Sequence, residues 1–206
     1  MTTTSAPRRR VAAGLLGAAG TLLVLAYAVF AALQIQVLNP LATMPGSTLG
    51  EIRAAVGSTG NSMGVGLMTA VLVPGPLLAA ALTLAAARGR LSARAMMVWM
   101  LVLLMLGCLA YFVASFPAGM SLADTFMVGG ADHSPWANLL HAISVASLGA
   151  LIVLGAASAL GGLRRTAQLS ADPRPAENVD PRSEEIADPR PAESAGPRPA
   201  ERSPER

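Results

Sequence analysis

Among its first 165 residues, this 206-residue chain has five carboxylates and imidazoles, the types that suit chemistry: Glu51, Asp124, Asp132, His133 and His141. Carboxylates set beside imidazoles can ligate a metal or pass protons. No spacing among the five completes a known signature. The chain has no P-loop, G-x-G-x-x-G, H-E-x-x-H, G-x-S-x-G or paired-cysteine element. One cysteine, Cys108, excludes an intrachain disulfide and a Cys-rich zinc site. The five therefore form a candidate polar cluster rather than a defined centre. Positions 133 and 141 lie eight residues apart, about 80° past two full helical turns, so the imidazoles need not share a face. Glu51 or Asp124 is then the expected polar neighbour of His141.

A second feature with functional meaning is Pro74-Gly75-Pro76, in the middle of an apolar run. Two prolines remove two backbone donors, and their rings crowd the preceding turn. The result is a fixed kink, or a broken helix lining a transport site. These three residues are a candidate helix hinge.

The elements that must position these residues are membrane spans. Residues 95–116 carry no charge over 22 residues, about 33 Å of helix, enough to cross a ~30 Å hydrocarbon core. Residues 11–33, 64–87 and 136–163 are of the same kind. In lipid the backbone must bond to itself, so each run is a helix. The composition agrees, with 53% hydrophobic and 13% charged residues. The expected fold is an all-α membrane protein: a four-helix transmembrane bundle with short extracytoplasmic loop helices and a disordered C-terminal tail. Its divisions are a leader at 1–10, the bundle at 11–165 and the tail at 166–206.

Arginine sets the orientation. The leader, the 88–94 connection and the 164–165 end carry eight Arg, whereas the two longer loops carry only Arg53. The positive-inside rule places both termini in the cytoplasm and both loops outside, in a multi-pass protein of the cell membrane. A basic leader before an apolar run also describes a signal peptide, with a cleavage motif at 26–28. The first run is 23 residues, longer than the ~7–15 of such peptides, which predicts a retained span.

Pro40 and Pro45 predict a break after the first span, with a loop over 34–63. Thr48 and Glu51 match a capping box and predict a short amphipathic helix near 49–56, lying at the membrane surface. Pro117 opens the second loop, 117–135, in which Ser121 and Asp124 repeat the pattern and predict a separate turn near 122–128. Ser134 and Pro135 predict the start of the last span. Two stripes of small residues, Ala13/Gly17/Thr21 and Ala142/Ala146/Ala150, are candidate close-packing faces.

The tail repeats every eight residues, as in Asp172-Pro173-Arg174-Pro175-Ala176-Glu177 and Asp188-Pro189-Arg190-Pro191-Ala192-Glu193. Such sequence has almost nothing to bury. Residues 1–165 hold nine Arg against three acids, a net of +6; residues 166–206 hold six against nine, a net of −3. The basic excess sits at membrane edges, so the expected partners are the lipid bilayer and a membrane protein or a second copy, and not nucleic acid. No cofactor is expected. A haem between helices needs two facing imidazoles, and the spans hold only His141. Met96, Met97, Met100 and Met105 have no Cys or His beside them, which makes them filler rather than a soft-metal path.

The segments Gly119-Met120, Leu122-Ala123-Asp124-Thr125-Phe126-Met127 and Asp132-His133-Ser134-Pro135-Trp136 resemble small four-helix membrane proteins of actinobacteria with no assigned function. So do Leu38-Asn39-Pro40-Leu41 and Leu49-Gly50-Glu51-Ile52. The resemblance spans residues 11–163 and implies fold and location alone. The functional expectation is a non-enzymatic accessory or interaction subunit with an extracytoplasmic recognition face. A small transporter or channel using the Pro74 break is the alternative. A membrane enzyme or metal site on the outer loops is the third.

Overall fold

A computed structural model describes residues 5–171. The helices are α1 (Ser5–Leu33), α2 (Asn39–Thr43), α3 (Leu49–Ser58), α4 (Val65–Leu72), α5 (Pro74–Ala87), α6 (Ala93–Phe126) and α7 (Ala137–Ala171). A π-helical turn, Gln34–Leu38, joins α1 to α2. Among the described residues there is no strand. Four helical stretches are long and apolar enough to cross a membrane: Val11–Thr43, Val65–Ala87, Ala93–Phe126 and Ala137–Arg164. This is an all-α membrane protein built on a four-helix bundle. The repeat-bearing stretch 172–206, expected to be disordered, lies outside the described residues. Residues 166–171, assigned to the tail from sequence, continue α7.

Small side chains set the spacing of the first three spans. Ala13 is buried. A Cβ at Gly17 would lie 2.9 Å from Thr83 Oγ1, and Thr21 Oγ1 bonds Thr83 Oγ1 at 2.8 Å. The Ala13/Gly17/Thr21 stripe is thus the face α1 turns to α5. On the other side, a Cβ at Gly107 would lie 2.7 Å from Tyr27 Cε1. Only glycine lets α6 come that near to the Tyr27 ring. The Ala142/Ala146/Ala150 stripe behaves differently, because Ala142 and Ala146 are exposed. The same spacing arises on α7 from a high alanine content alone.

The fourth span is held by hydrogen bonds. Tyr27 Oη donates to Leu140 O at 3.4 Å and lies 3.2 Å from Ser144 Oγ. Ser144 Oγ in turn donates to Leu104 O at 2.8 Å. Three spans meet at that point. Near the opposite end of the bundle, Arg94 Nη2 donates to Ser158 Oγ.

Three local expectations are corrected. Pro40 does not break the first span. The chain widens into the π turn, where Asn39 N–H bonds back five residues to Gln34 O, and Pro40 enters at the start of α2. Pro40 has no N–H to give, and Arg53 Nη2 donates to Gln36 O at 3.3 Å instead. Pro117 likewise sits inside a continuous α6, which runs to Phe126 and ends with Met127 in the left-handed region at φ 54°. Ser121 is therefore no cap; it is buried and donates to Ser62 O at 2.7 Å. Lastly, α3 does not depend on lipid for its apolar face. Ile52 and Val56 are each 1% exposed, packed against protein.

One other expectation holds. The Thr48/Glu51 capping box forms with both of its reciprocal bonds. At Pro74 the span divides into α4 and α5: Val73 between them keeps right-handed geometry, and the bonds Val73 N–H to Thr69 O and Leu77 N–H to Val73 O flank the two prolines.

Candidate functional site: the polar collar at one end of the bundle

The π turn aims polar side chains inward. Gln34 and Asn39 are five residues apart, one π turn, and both are buried. Each meets the 127–136 connection. Asn39 Oδ1 accepts from His133 N–H at 2.7 Å and Ser134 N–H at 3.3 Å. Ser134 Oγ donates to Gln34 Oε1 at 3.2 Å. Ser134 thus serves a tertiary bond rather than the N-cap expected of it, and regular helix begins at Ala137. Thr43 Oγ1 donates to Asn39 O at 2.8 Å and lies 3.3 Å from His133 Nδ1.

Beside this lock, Tyr111 Oη donates to Asp132 Oδ1 at 2.7 Å. The Tyr111 ring also meets His141 edge-on, with centroids 5.9 Å apart and planes at 89°. His141 Nδ1 sits 2.8 Å from Ala137 O, one turn back on its own helix, so that nitrogen carries the proton.

A second group of bonds ties the other loop down. Gln36 Nε2 donates to Met63 O at 3.0 Å, and Thr59 Oγ1 bonds Thr125 Oγ1 at 3.1 Å. Gly64 begins α4 in the left-handed region at φ 62°, and a Cβ there would lie 2.6 Å from Pro117 Cβ. Backbone sign and close approach both require glycine at that position.

The five residues singled out in the sequence do not converge. Glu51 Oε2 accepts from Thr48 N–H at 2.7 Å and Thr48 Oγ1–H at 2.9 Å. Those two bonds hold its carboxyl below the usual carboxylate range. Asp124 is exposed on the last turns of α6. Asp132 is bonded to Tyr111, His133 to Asn39 and Thr43, and His141 to its own helix. Neither Glu51 nor Asp124 bonds His141, and Tyr111 is its polar neighbour instead. Among the described residues, no three His, Cys, Asp or Glu are placed to hold a metal ion.

The residues that build the collar are Gln34, Asn39, Thr43, Tyr111 and Ser134, none of which carries a catalytic signature. Their signal in the sequence is the run of amides at 34, 36 and 39 directly after an apolar span. Pro40 hides it by suggesting a loop. Gln34 Nε2 is buried with no partner among the described residues.

Two hollows flank these elements. One, of about 130 Å³, is lined by Asn39, Phe112, Phe116, Gly119, Gly130 and Asp132, among others. The other, of about 300 Å³, lies between α1 and the Pro74 kink, with Leu25, Val29, Leu72, Val73 and Pro76 in its walls. Its lining is apolar apart from Thr69.

The bundle and its collar define a multi-spanning helical membrane protein with an ordered polar end. No protein-family model, curated protein or solved structure matches the chain.

Proposed function

We propose that this chain is a non-enzymatic accessory or interaction subunit of the cell membrane, with both termini cytoplasmic and the collar end outside as its recognition face. One observation carries the reading. The collar's polar groups are bonded to one another across α2, α6 and the 127–136 connection, so the end is preshaped and most of its donors are used internally. A preshaped surface pays little ordering entropy when it docks a partner. Val73 keeps right-handed geometry between α4 and α5, which supports a kink over a transport break. The dispersed acids and imidazoles give a catalytic or metal centre no support.

The test is affinity purification of the full chain from its native membranes in mild detergent. One stoichiometric membrane-protein partner is expected, and it should be lost when exposed Arg53 and Asp124 are replaced by residues of opposite charge. Retention of the partner by those variants would move the recognition face elsewhere. Absence of any partner would overturn the reading.

Orientation is tested separately. With Cys108 replaced, a cysteine at position 58 should react with a membrane-impermeant thiol reagent in intact cells, and one at 203 should not. Labelling at 203 without permeabilisation would reverse the assignment.

A further inference from the structure

We infer that the hollow between α6 and the 127–136 connection binds an organic ammonium group, with Asp132 as its counter-ion. The ammonium belongs either to a free small amine or to the headgroup of a phospholipid. This assignment does not depend on the accessory-subunit reading.

Charge comes first. Asp132 Oδ1 is fixed by Tyr111 Oη at 2.7 Å. The donor is a neutral hydroxyl, so the bond orients the carboxylate without neutralising it. Oδ2 is left for a ligand. An N⁺–H donor to a carboxylate makes a hydrogen bond roughly twice as strong as a neutral pair. An anion is repelled by the same group.

The walls come next. Phe112 and Phe116 stand one turn apart on α6 with centroids 6.4 Å apart and planes at 53°. Both line the hollow. Ring faces attract cations, and an organic ammonium gains from them at exposed sites as well. A hard metal ion wants about six oxygens. This hollow offers one carboxylate, and no three ligating side chains gather among the described residues.

Size and depth select the ligand further. At ~30 Å³ per water-sized group, a hollow of about 130 Å³ admits about four such groups. That suits a headgroup or a small amine, not a metabolite of ordinary size. Phe116 is the 24th residue of α6. Counted from the Ala93 end it lies about 35 Å along the helix, just past a ~30 Å hydrocarbon core. Phe112 and Phe116 are 63% and 58% exposed, so the mouth opens sideways at headgroup depth.

The test uses the full chain in mild detergent and in lipid nanodiscs. In detergent, n-butylammonium chloride is titrated by calorimetry, with n-butanol as the neutral control of similar shape. Saturable binding of the ammonium and none of the alcohol are expected. D132N keeps an acceptor for Tyr111 Oη and removes only the charge; it should weaken binding about tenfold or more. In nanodiscs of mixed phosphatidylethanolamine and phosphatidylglycerol, native mass spectrometry reads which lipid is retained. Enrichment of the ethanolamine lipid, lost in D132N, identifies the headgroup as the source. Binding in the detergent arm alone identifies a free amine, and retention of the ethanolamine lipid identifies the headgroup whether or not butylammonium also binds. No binding in either arm overturns the assignment. So does equal binding of butanol, or binding unchanged in D132N. Should D132N fail to give monodisperse protein, F116A decides, since that side chain is largely exposed and its loss is tolerable to the fold. Unchanged ammonium binding in F116A then overturns the assignment.

Discussion

Asn39 Oδ1 takes the backbone N–H of His133 at 2.7 Å across 94 residues of chain, and takes that of Ser134 as well. One side-chain oxygen satisfies two consecutive backbone donors. The first span and the approach to the last span are thereby held in one register.

Replacing Asn39 by Leu keeps the approximate size and removes that oxygen. Two backbone donors lose their acceptor, at a site where Asn39 is 6% exposed. The expected cost is about 2 kcal/mol or more, from the desolvation of unpaired groups. Thermal unfolding in detergent should show it. Amide exchange at 133 and 134 should accelerate more than exchange at the α6 core. Wild-type protection at those two amides would mean that the bond is not what orders the connection.

Gly107→Ala should be costly and Gly149→Ala nearly neutral. A Cβ at 107 collides with the Tyr27 ring, whereas one at 149 meets nothing within 4 Å. Overpacking of this kind costs about 1–3 kcal/mol. Equal melting temperatures for the two variants would contradict the close approach of α1 and α6.

The Glu51 cap should be sensitive to acid. Its carboxyl is lowered first by the Thr48 backbone N–H and then by the Thr48 hydroxyl. A depressed carboxyl contributes stability that is fully present above the usual carboxylate range. That stability fades as pH falls through the lowered folded value. Neutral and mildly acidic solutions should therefore leave α3 intact, and strongly acidic ones should fray its first turn. An NMR titration of the Glu51 side chain checks this directly; a midpoint at or above the usual range would show the capping box to be open in solution.

Tyr111→Phe removes the hydroxyl that orients Asp132 and leaves the ring against His141. A loss of about 1.5–3 kcal/mol is expected, the value of one hydrogen bond to a charged group. The His141 environment should change little, as read from its imidazole chemical shifts. A large shift there would mean that the ring moves with its hydroxyl.

The spans are legible in the sequence because lipid imposes one requirement on composition and another on length. The α3 cap is legible too, since Thr48 and Glu51 act within one turn. What escapes is what depends on distant partners. Pro40 and Pro117 look like breaks because the compensation for each is tertiary: a π turn with Arg53 on Gln36 O at the first, and a helix locked by Ser121 to Ser62 O at the second. Asp132 and His133 stand out by residue type, yet Asn39 and Tyr111 decide what they do. No spacing rule connects position 39 with position 133.

Tyr27 carries a consequence for how the protein is made. Its hydroxyl sits in the first span, but both of its partners, Leu140 O and Ser144 Oγ, belong to the last one synthesised. Until α7 arrives, that hydroxyl lacks both of them, and the Gln34 and Asn39 amides at the end of the same span still await Ser134 and His133. A nascent chain stalled before α7 thus bears a row of unsatisfied polar groups on its oldest helix. That row is a chemical mark of incompleteness, erased when the fourth helix docks.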